Sequence, residues 1–267
     1  MSEIDYRDVN RATWDERVAI HVASDFYDLP SFRAGAGTIR RFELDEVGDV
    51  TGRSLVHLQC HFGLDTLSWA RLGAEVTGLD FSAKAVEQAR RIAEEEGIDA
   101  RFVTADVYDA VQALGERYDI VYTGIGALVW LPDLTRWAET VAALLRPGGF
   151  LYLAEFHPIA DTLDEEEGAR IVHDYFESGP QIWQCPYTYT GSEVLQNDTS
   201  VQFQHGIGEV VTALASAGLR LDFLHEHDHS LFQRFPTLVR DGVYFRRPEG
   251  SPRIPLMYSL KASATRA

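Results

Sequence analysis

The clearest pattern in the chain is an apolar run, Leu55-Val56-His57-Leu58-Gln59-Cys60, that bends at Gly63. Leu64, Leu67 and Leu72 then follow at roughly helical spacing. A continuous apolar run, a tight turn and a helical period predict a buried strand feeding a helix, the opening of an open α/β sheet. The alternation continues. Strands are predicted over 54–60, 75–80, 100–104, 120–123 and 150–155, and helices over 64–73, 83–96, 108–114 and 134–145. The punctuation agrees with this: Gly73 and Gly97 stop helices, Ser82 caps one, Pro132-Asp133 opens another, and Pro147-Gly148-Gly149 turns sharply into the fifth strand.

The flanks keep a different rhythm. Residues 4–28 are dense in aromatics (Tyr6, Trp14, Phe26, Tyr27) and predict one or two short helices ending before Pro30, with a further helix over 38–47. After His157-Pro158 the alternation breaks, and 161–200 predicts an irregular or antiparallel insertion. A helix over 208–217, a strand over 219–224, a loop over 232–250 and a last strand over 254–262 complete the pattern. The expected organisation is therefore an N-terminal helical lid (1–47), a ligand-binding core (48–158), an insertion capping a substrate site (159–204) and the C-terminal part of the core sheet (205–267), all in one folded unit.

Charge narrows the ligand. Asp plus Glu is 41 and Lys plus Arg is 24, a net charge of −17. That field repels phosphate backbones, and no basic run offsets it, so nucleic acid is not an expected partner. Hydrophobic content of 45% suffices for a sizeable core. Cys60 and Cys185 are the only cysteines, Cys60 lying in an apolar strand, so no disulfide framework is expected and a reducing cytoplasm fits. No apolar signal region opens the sequence and no apolar stretch spans a membrane. The oligomeric state leaves no trace.

In a parallel sheet, ligands bind beyond the carboxyl ends of the strands. A dinucleotide fingerprint wants glycine at Gln59, His61 and Leu64, and none is present. A phosphate-binding Gly-Lys-Ser/Thr is also missing. Yet Gly63 stands at the turn, and Asp80 ends the second strand near the roughly 20-residue separation of a ribose-binding acid. Asp106 ends the third, where a carboxylate can accept from an adenine amine. These residues suit a nucleoside ligand without phosphates.

The stretches HLQCHFGLD, VTGLDFS, FVTADVYDA, YDIVYTGIG, LLRPGGFLYLAEFHP and PLMYSLKA together resemble the class I S-adenosylmethionine-dependent methyltransferase family. They cover 53–158 and the final strands. Most members carry three alternating glycines at the first turn. Here those positions read Gln59, His61 and Gly63, which resembles a small-molecule subgroup with an LQCHFG turn. The resemblance implies a Rossmann-like α/β fold: a seven-stranded sheet, mostly parallel, with helices on both faces and an antiparallel last strand inserted between the fifth and sixth. It implies S-adenosyl-L-methionine as cofactor. Gly63, with side-chain bonds from Gln59 and His61, would hold its methionine end. Asp80 would take the ribose hydroxyls, Phe81 the adenine face, Asp106 and Val107 the adenine edge, and Thr123 and Gly124 the methionine end again.

The implied activity is methyl transfer to an oxygen, nitrogen or carbon of a small molecule. The sulfonium already activates the methyl group, so the protein supplies geometry, aromatic surroundings and, where needed, a base. His157, just past the fifth strand, is the first candidate base and His21 on the lid the second. Tyr27, Trp130 and His205 are candidate substrate residues. His225, His227 and His229 would face one way on an extended strand, but a metal is not expected. The acidic run 164–167 reads as a solvated face. Two other functions fit less well: a non-catalytic binding module on the same fold, which Asp80 and Asp106 argue against, and a nucleotide-cofactor oxidoreductase, which the missing glycines argue against.

Overall fold

The computed structural model describes residues 5–177 and 179–265. Three helices precede the sheet: α1 (Tyr6–Ala23), α2 (Leu29–Arg33) and α3 (Arg41–Val47). Asp5 caps α1 by accepting from the Arg7 N–H. Pro30 does not lie beyond the helices, as its sequence position suggests. It stands in the first turn of α2, where a missing N–H loses no helical bond. The core then alternates as expected: β1 (Ser54–Leu58), α4 (Leu64–Arg71), β2 (Glu75–Asp80), α5 (Ala83–Glu95), β3 (Arg101–Thr104), α6 (Ala110–Leu114), β4 (Tyr118–Thr123), α7 (Leu134–Leu144) and β5 (Leu145–Phe156). The insertion holds α8 (Pro158–Asp161), β6 (Gln181–Gln184) and β7 (Thr199–Gln202). The chain returns through α9 (Ile207–Ser216) and β8 (Leu219–His227), passes β9 (His229–Ser230), β10 (Val239–Asp241) and β11 (Tyr244–Arg246), and ends in β12 (Met257–Ala264).

The main sheet has the order β3-β2-β1-β4-β5-β12-β8, and β12 runs antiparallel to both β5 and β8. This is the seven-stranded, Rossmann-like arrangement with the last strand inserted as expected. All five residues of β1 are buried, as a central strand covered on both faces requires. One core layer packs Trp137, Val141 and Leu214 under α7 and α9. On the opposite face Trp69, Val47, Leu67 and Val86 pack under α3, α4 and α5.

Three boundaries differ from the sequence pattern. Pro147-Gly148-Gly149 belongs to β5 as a bulge opposite Asp119. A Cβ at Gly149 would stand 2.8 Å from the Asp119 carbonyl oxygen, so only glycine fits there. Residues 232–250 are not a plain loop: β10 and β11 form a small antiparallel sheet with β9. β12 starts at Met257, three residues later than its apolar run suggests.

The N-terminal helix α1 and the insertion meet. The Asn10 amide donates to the Val201 carbonyl and accepts from its N–H, both at 2.8 Å, so a helix side chain pairs with the backbone of β7. Thr13 Oγ1 donates to the Thr199 carbonyl at 2.7 Å, and Glu16 accepts from the N–H groups of Gln196 and Asn197. The acidic run within the insertion is only partly a solvated face. Asp164 is buried and accepts from the N–H groups of Glu167, Ala169 and Arg170, which fold the following turn around it. No helix among the described residues is long and apolar enough to cross a membrane.

Candidate active site

The turn after β1 lies at the carboxyl end of the central strands, under α1. Its backbone is unusual. Gln59 has φ +57°, His61 +51° and Gly63 +82°. Only one other non-glycine among the described residues, Asp28, has positive φ. The chain thus keeps left-handed geometry at the three alternating positions although two are not glycine. A side chain in that region costs on the order of 1–2 kcal/mol. Local bonds hold it: Cys60 N–H donates to the Leu79 carbonyl, His61 N–H to Asp80 Oδ2 at 2.8 Å, and Gly63 N–H to the Cys60 carbonyl. Gly63 must be glycine for a second reason, because a Cβ there would meet the Phe102 ring at 2.7 Å.

Asp80 therefore braces the turn as well as ending β2. Its other oxygen accepts from the Ser82 N–H at 2.9 Å. Burial pushes its pKa up to about 6, against those N–H donors, which pull it back. Gln59 reaches the opposite wall, where its Nε2 donates to the Ala127 carbonyl at 3.0 Å. Its Oε1 is buried and has no partner among the described residues.

That wall, the loop after β4, is organised by a residue the sequence did not single out. Glu155, near the end of β5, accepts from the N–H groups of Gly126 (2.6 Å), Ala127 (2.9 Å), Leu128 (3.0 Å) and Phe156 (2.7 Å). Burial raises its pKa to about 7 despite four donors. The signal available in the sequence was its place: an acid ending an apolar strand, as Asp80 and Asp106 do.

A cavity of about 1530 Å³ opens between this turn, the β4 loop and the cap. Of the expected cofactor residues, Gln59, His61, Gly63, Asp80, Phe81, Asp106, Val107 and Gly124 line it. Thr123 does not: it is fully buried, with Oγ1 unpartnered among the described residues. Asp106 caps the next turn through the Tyr108 N–H (2.9 Å) and meets Arg7 Nε of α1 at 3.3 Å. The expected substrate residues Tyr27, Trp130 and His205 also lie on the wall. His205 Nε2 donates to the Leu131 carbonyl at 2.7 Å, and Nδ1 lies 3.1 Å from Glu209.

The two candidate bases separate. His157 is not on the cavity wall. Its Nδ1 accepts from the Ile159 N–H and its Nε2 lies 2.9 Å from Glu226, so it caps α8 and ties it to β8. Both ring nitrogens are used, and the expectation of a base loses its geometry. His21 is fully buried behind His61, with Nδ1 2.9 Å from His61 Nε2 and Nε2 2.6 Å from Thr188 Oγ1. Burial, then Arg17, lowers the His21 pKa to about 3, and burial holds His61 well below its usual value. Trp14 stands edge-on to both rings and to Trp130, and Tyr27 stacks on His21. The Tyr27 and Tyr189 hydroxyls bond at 2.6 Å. Trp14 was legible as one of the aromatics of the N-terminal segment, but its place beside His61, and Thr188 as the partner of His21, depend on a contact between that segment and the insertion that no local pattern signals.

The C-terminal histidines diverge. His225 bonds Glu46 (2.7 Å) and His227 bonds Ser259 (2.9 Å), while His229 packs against Tyr244. No group of three His, Cys, Asp or Glu among the described residues is placed to hold a metal.

The sheet order and the strand-end acids define a Rossmann-like methyltransferase fold. Residues 56–149 match the family described as "Methyltransferase domain". Among curated proteins, a ubiquinone biosynthesis O-methyltransferase of Methylobacterium sp. (strain 4-46) is 31% identical over 159 residues, 57% of this chain and 63% of that protein. One from Serratia proteamaculans is 32% identical over 111 residues, 42% of this chain and 46% of that protein. The chain spans about half the length of the curated relatives it matches. Among solved structures, an S-adenosylmethionine-dependent methyltransferase from Mesorhizobium loti superposes with TM-score 0.58 at 21% identity, over 86% of this chain and 99% of that one. The magnesium protoporphyrin IX methyltransferase of Synechocystis PCC 6803, solved with bound S-adenosylmethionine, gives 0.51 at 16% identity, over 99% and 100%.

Proposed function

We propose that the chain transfers a methyl group from S-adenosyl-L-methionine to an oxygen, nitrogen or carbon of a small molecule, as a member of the small-molecule subgroup with the LQCHFG turn, in the cytoplasm. The observation that carries this is the left-handed turn at Gln59, His61 and Gly63, braced on Asp80 at the head of a large cavity. The curated O-methyltransferases are consistent with a small acceptor.

The residues present fit the cofactor. The unpartnered Gln59 Oε1 is an acceptor suited to an ammonium or hydroxyl. Asp80 keeps lone pairs for ribose hydroxyls, and no phosphate has to pass the side chains of Gln59 and His61. The cavity volume exceeds the roughly 300–1,000 Å³ of a single small-molecule site, leaving room for an acceptor beside the cofactor. When bound, the cofactor supplies a sulfonium-activated methyl group. The protein supplies the rest. Trp14, Tyr27 and Trp130 surround the turn with aromatic faces and edges that suit a cation and exclude water. The pair His61–His21, ending at Thr188, is a chain of imidazoles that burial holds neutral, so it orients an acceptor by hydrogen bonding and does not keep its proton. The lid and insertion act as one cap over the acceptor.

Calorimetry with S-adenosylmethionine and S-adenosylhomocysteine tests the reading. Binding of both is expected. Asp80→Ala should weaken it by about 1–3 kcal/mol, roughly 5- to 150-fold. No binding of either at millimolar concentration contradicts the function.

A further inference from the structure

The buried stripe of α1 is polar. Asn10, Thr13, Arg17 and His21 are buried along it, where an amphipathic helix normally buries apolar residues. Asn10, Thr13 and His21 have partners in β7, the insertion and the turn. Arg17 has none. It is 7% exposed, and it is the one Lys or Arg that is buried among the described residues. No hydrogen bond or ion pair reaches it among those residues, and its Nε is enclosed without a partner. It lines the cavity, with its guanidinium 5.2 Å from the Trp14 ring and 5.9 Å from that of Trp130. Its titratable neighbours are Tyr189, Cys185, Tyr27, His21 and His61, and none is a carboxylate. The other cavity arginines differ: Arg40 is paired to Asp65 at 2.9 Å, Arg7 meets Asp106, and Arg234 pairs with Asp161.

A buried guanidinium without an anion is costly unless something completes it. Two aromatic rings compensate only in part. Among the described arginines of the cavity Arg17 alone has no carboxylate partner, and the missing partner is an anion brought by a ligand. We propose that Arg17 is the receptor for a ligand carboxylate at the cap side of the cavity. The planar fork matches a carboxylate in two parallel bonds. A phosphate dianion fits less well, because among the described residues the other cavity arginines are already paired and the acidic surface repels multiply charged ligands. The carboxylate has two possible sources, the amino-acid end of the cofactor or an acidic acceptor. The anion site stands without the methyl-transfer reading; only the assignment of the source rests on it.

The test is calorimetry on the full chain and on Arg17→Met and Arg17→Lys. The probes are S-adenosylhomocysteine, 5′-methylthioadenosine (which lacks the amino-acid end) and benzoate, the last titrated with and without saturating S-adenosylhomocysteine. Thermal melting is the folding control. Arg17→Met removes an uncompensated charge, so the unliganded protein should melt no lower than wild type. Carboxylate binding should fall at least tenfold in Arg17→Met, with methylthioadenosine affinity unchanged and partial recovery in Arg17→Lys. A fall confined to S-adenosylhomocysteine assigns the cofactor's carboxylate. A fall confined to benzoate on the loaded protein assigns the acceptor's. Equal affinities of wild type and Arg17→Met for both carboxylates overturn the proposal, as does lower melting of unliganded Arg17→Met. If wild type binds no S-adenosylhomocysteine, the methyl-transfer reading fails, and benzoate alone still decides for or against Arg17.

Discussion

Glu155 offers a sharp check, because two opposing effects act on one carboxylate. Burial favours its neutral form, while four N–H donors from Gly126, Ala127, Leu128 and Phe156 favour the anion. The balance leaves the folded pKa at about 7, raised from an ordinary 4.5. A raised carboxyl pKa means that the folded state binds more protons than the unfolded one between those values. Its stabilising contribution is full below pH about 4.5 and is lost as pH rises through 7. Between pH 5 and 7.5 the loss is about 2–3 kcal/mol, since each pKa unit is worth about 1.4 kcal/mol. Glu155→Gln removes the titration and keeps the shape. Urea unfolding of both proteins across this range isolates the effect, because the other titrating groups cancel in the difference. The stability of wild type minus that of the variant should fall by about 2–3 kcal/mol from pH 5 to 7.5. A difference constant within about 0.5 kcal/mol, or one that grows with pH, would show that the N–H donors prevail and that burial does not control this loop.

Other residues give further tests. His21 is held neutral with its pKa lowered to about 3, so its contribution is present above pH 6.5 and is lost as pH falls toward 3; His21→Asn should flatten acid denaturation in that window by up to about 4–5 kcal/mol, and an unchanged acid limb in urea melts contradicts the burial. His157→Ala should lower the melting temperature, because it releases the cap of α8, yet leave turnover within about twofold by radiolabelled methyl transfer; a hundredfold loss of turnover at unchanged S-adenosylhomocysteine affinity would restore His157 as a base. Gln59→Gly should relieve left-handed strain and lose the bond to Ala127, leaving stability within about 1 kcal/mol. It should also weaken S-adenosylhomocysteine about tenfold in calorimetry if Oε1 holds the cofactor; equal affinity removes Gln59 from the site.

The alternating core was legible because its signals are local. The apolar run at 55–60, the stops at Gly73 and Gly97 and the Ser82 cap each depend on a few adjacent residues, and β1 to β5 follow in order. Asp80 and Asp106 were legible for the same reason, each ending a strand on the cavity. What the pattern did not reveal depends on tertiary context. Gln59 and His61 adopt left-handed φ because Asp80 and the strand ladder impose it, which neither residue type suggests. The polar stripe Asn10, Thr13, Arg17 and His21 has helical spacing, but its meaning depends on β7, nearly two hundred residues away. β9, β10 and β11 have two or three residues each, too few for a period to show. His157 sits at a strand end like Asp80, yet Glu226 and the α8 backbone claim it first.

The most direct measurement is a crystal structure of the protein with S-adenosylhomocysteine. The account predicts ribose hydroxyls within hydrogen-bonding distance of the Asp80 carboxylate, adenine between Phe81 and Asp106, and the thioether sulfur facing the wall formed by His61, Tyr27 and Trp130. A ligand elsewhere, or one whose ribose lies away from Asp80, would contradict it.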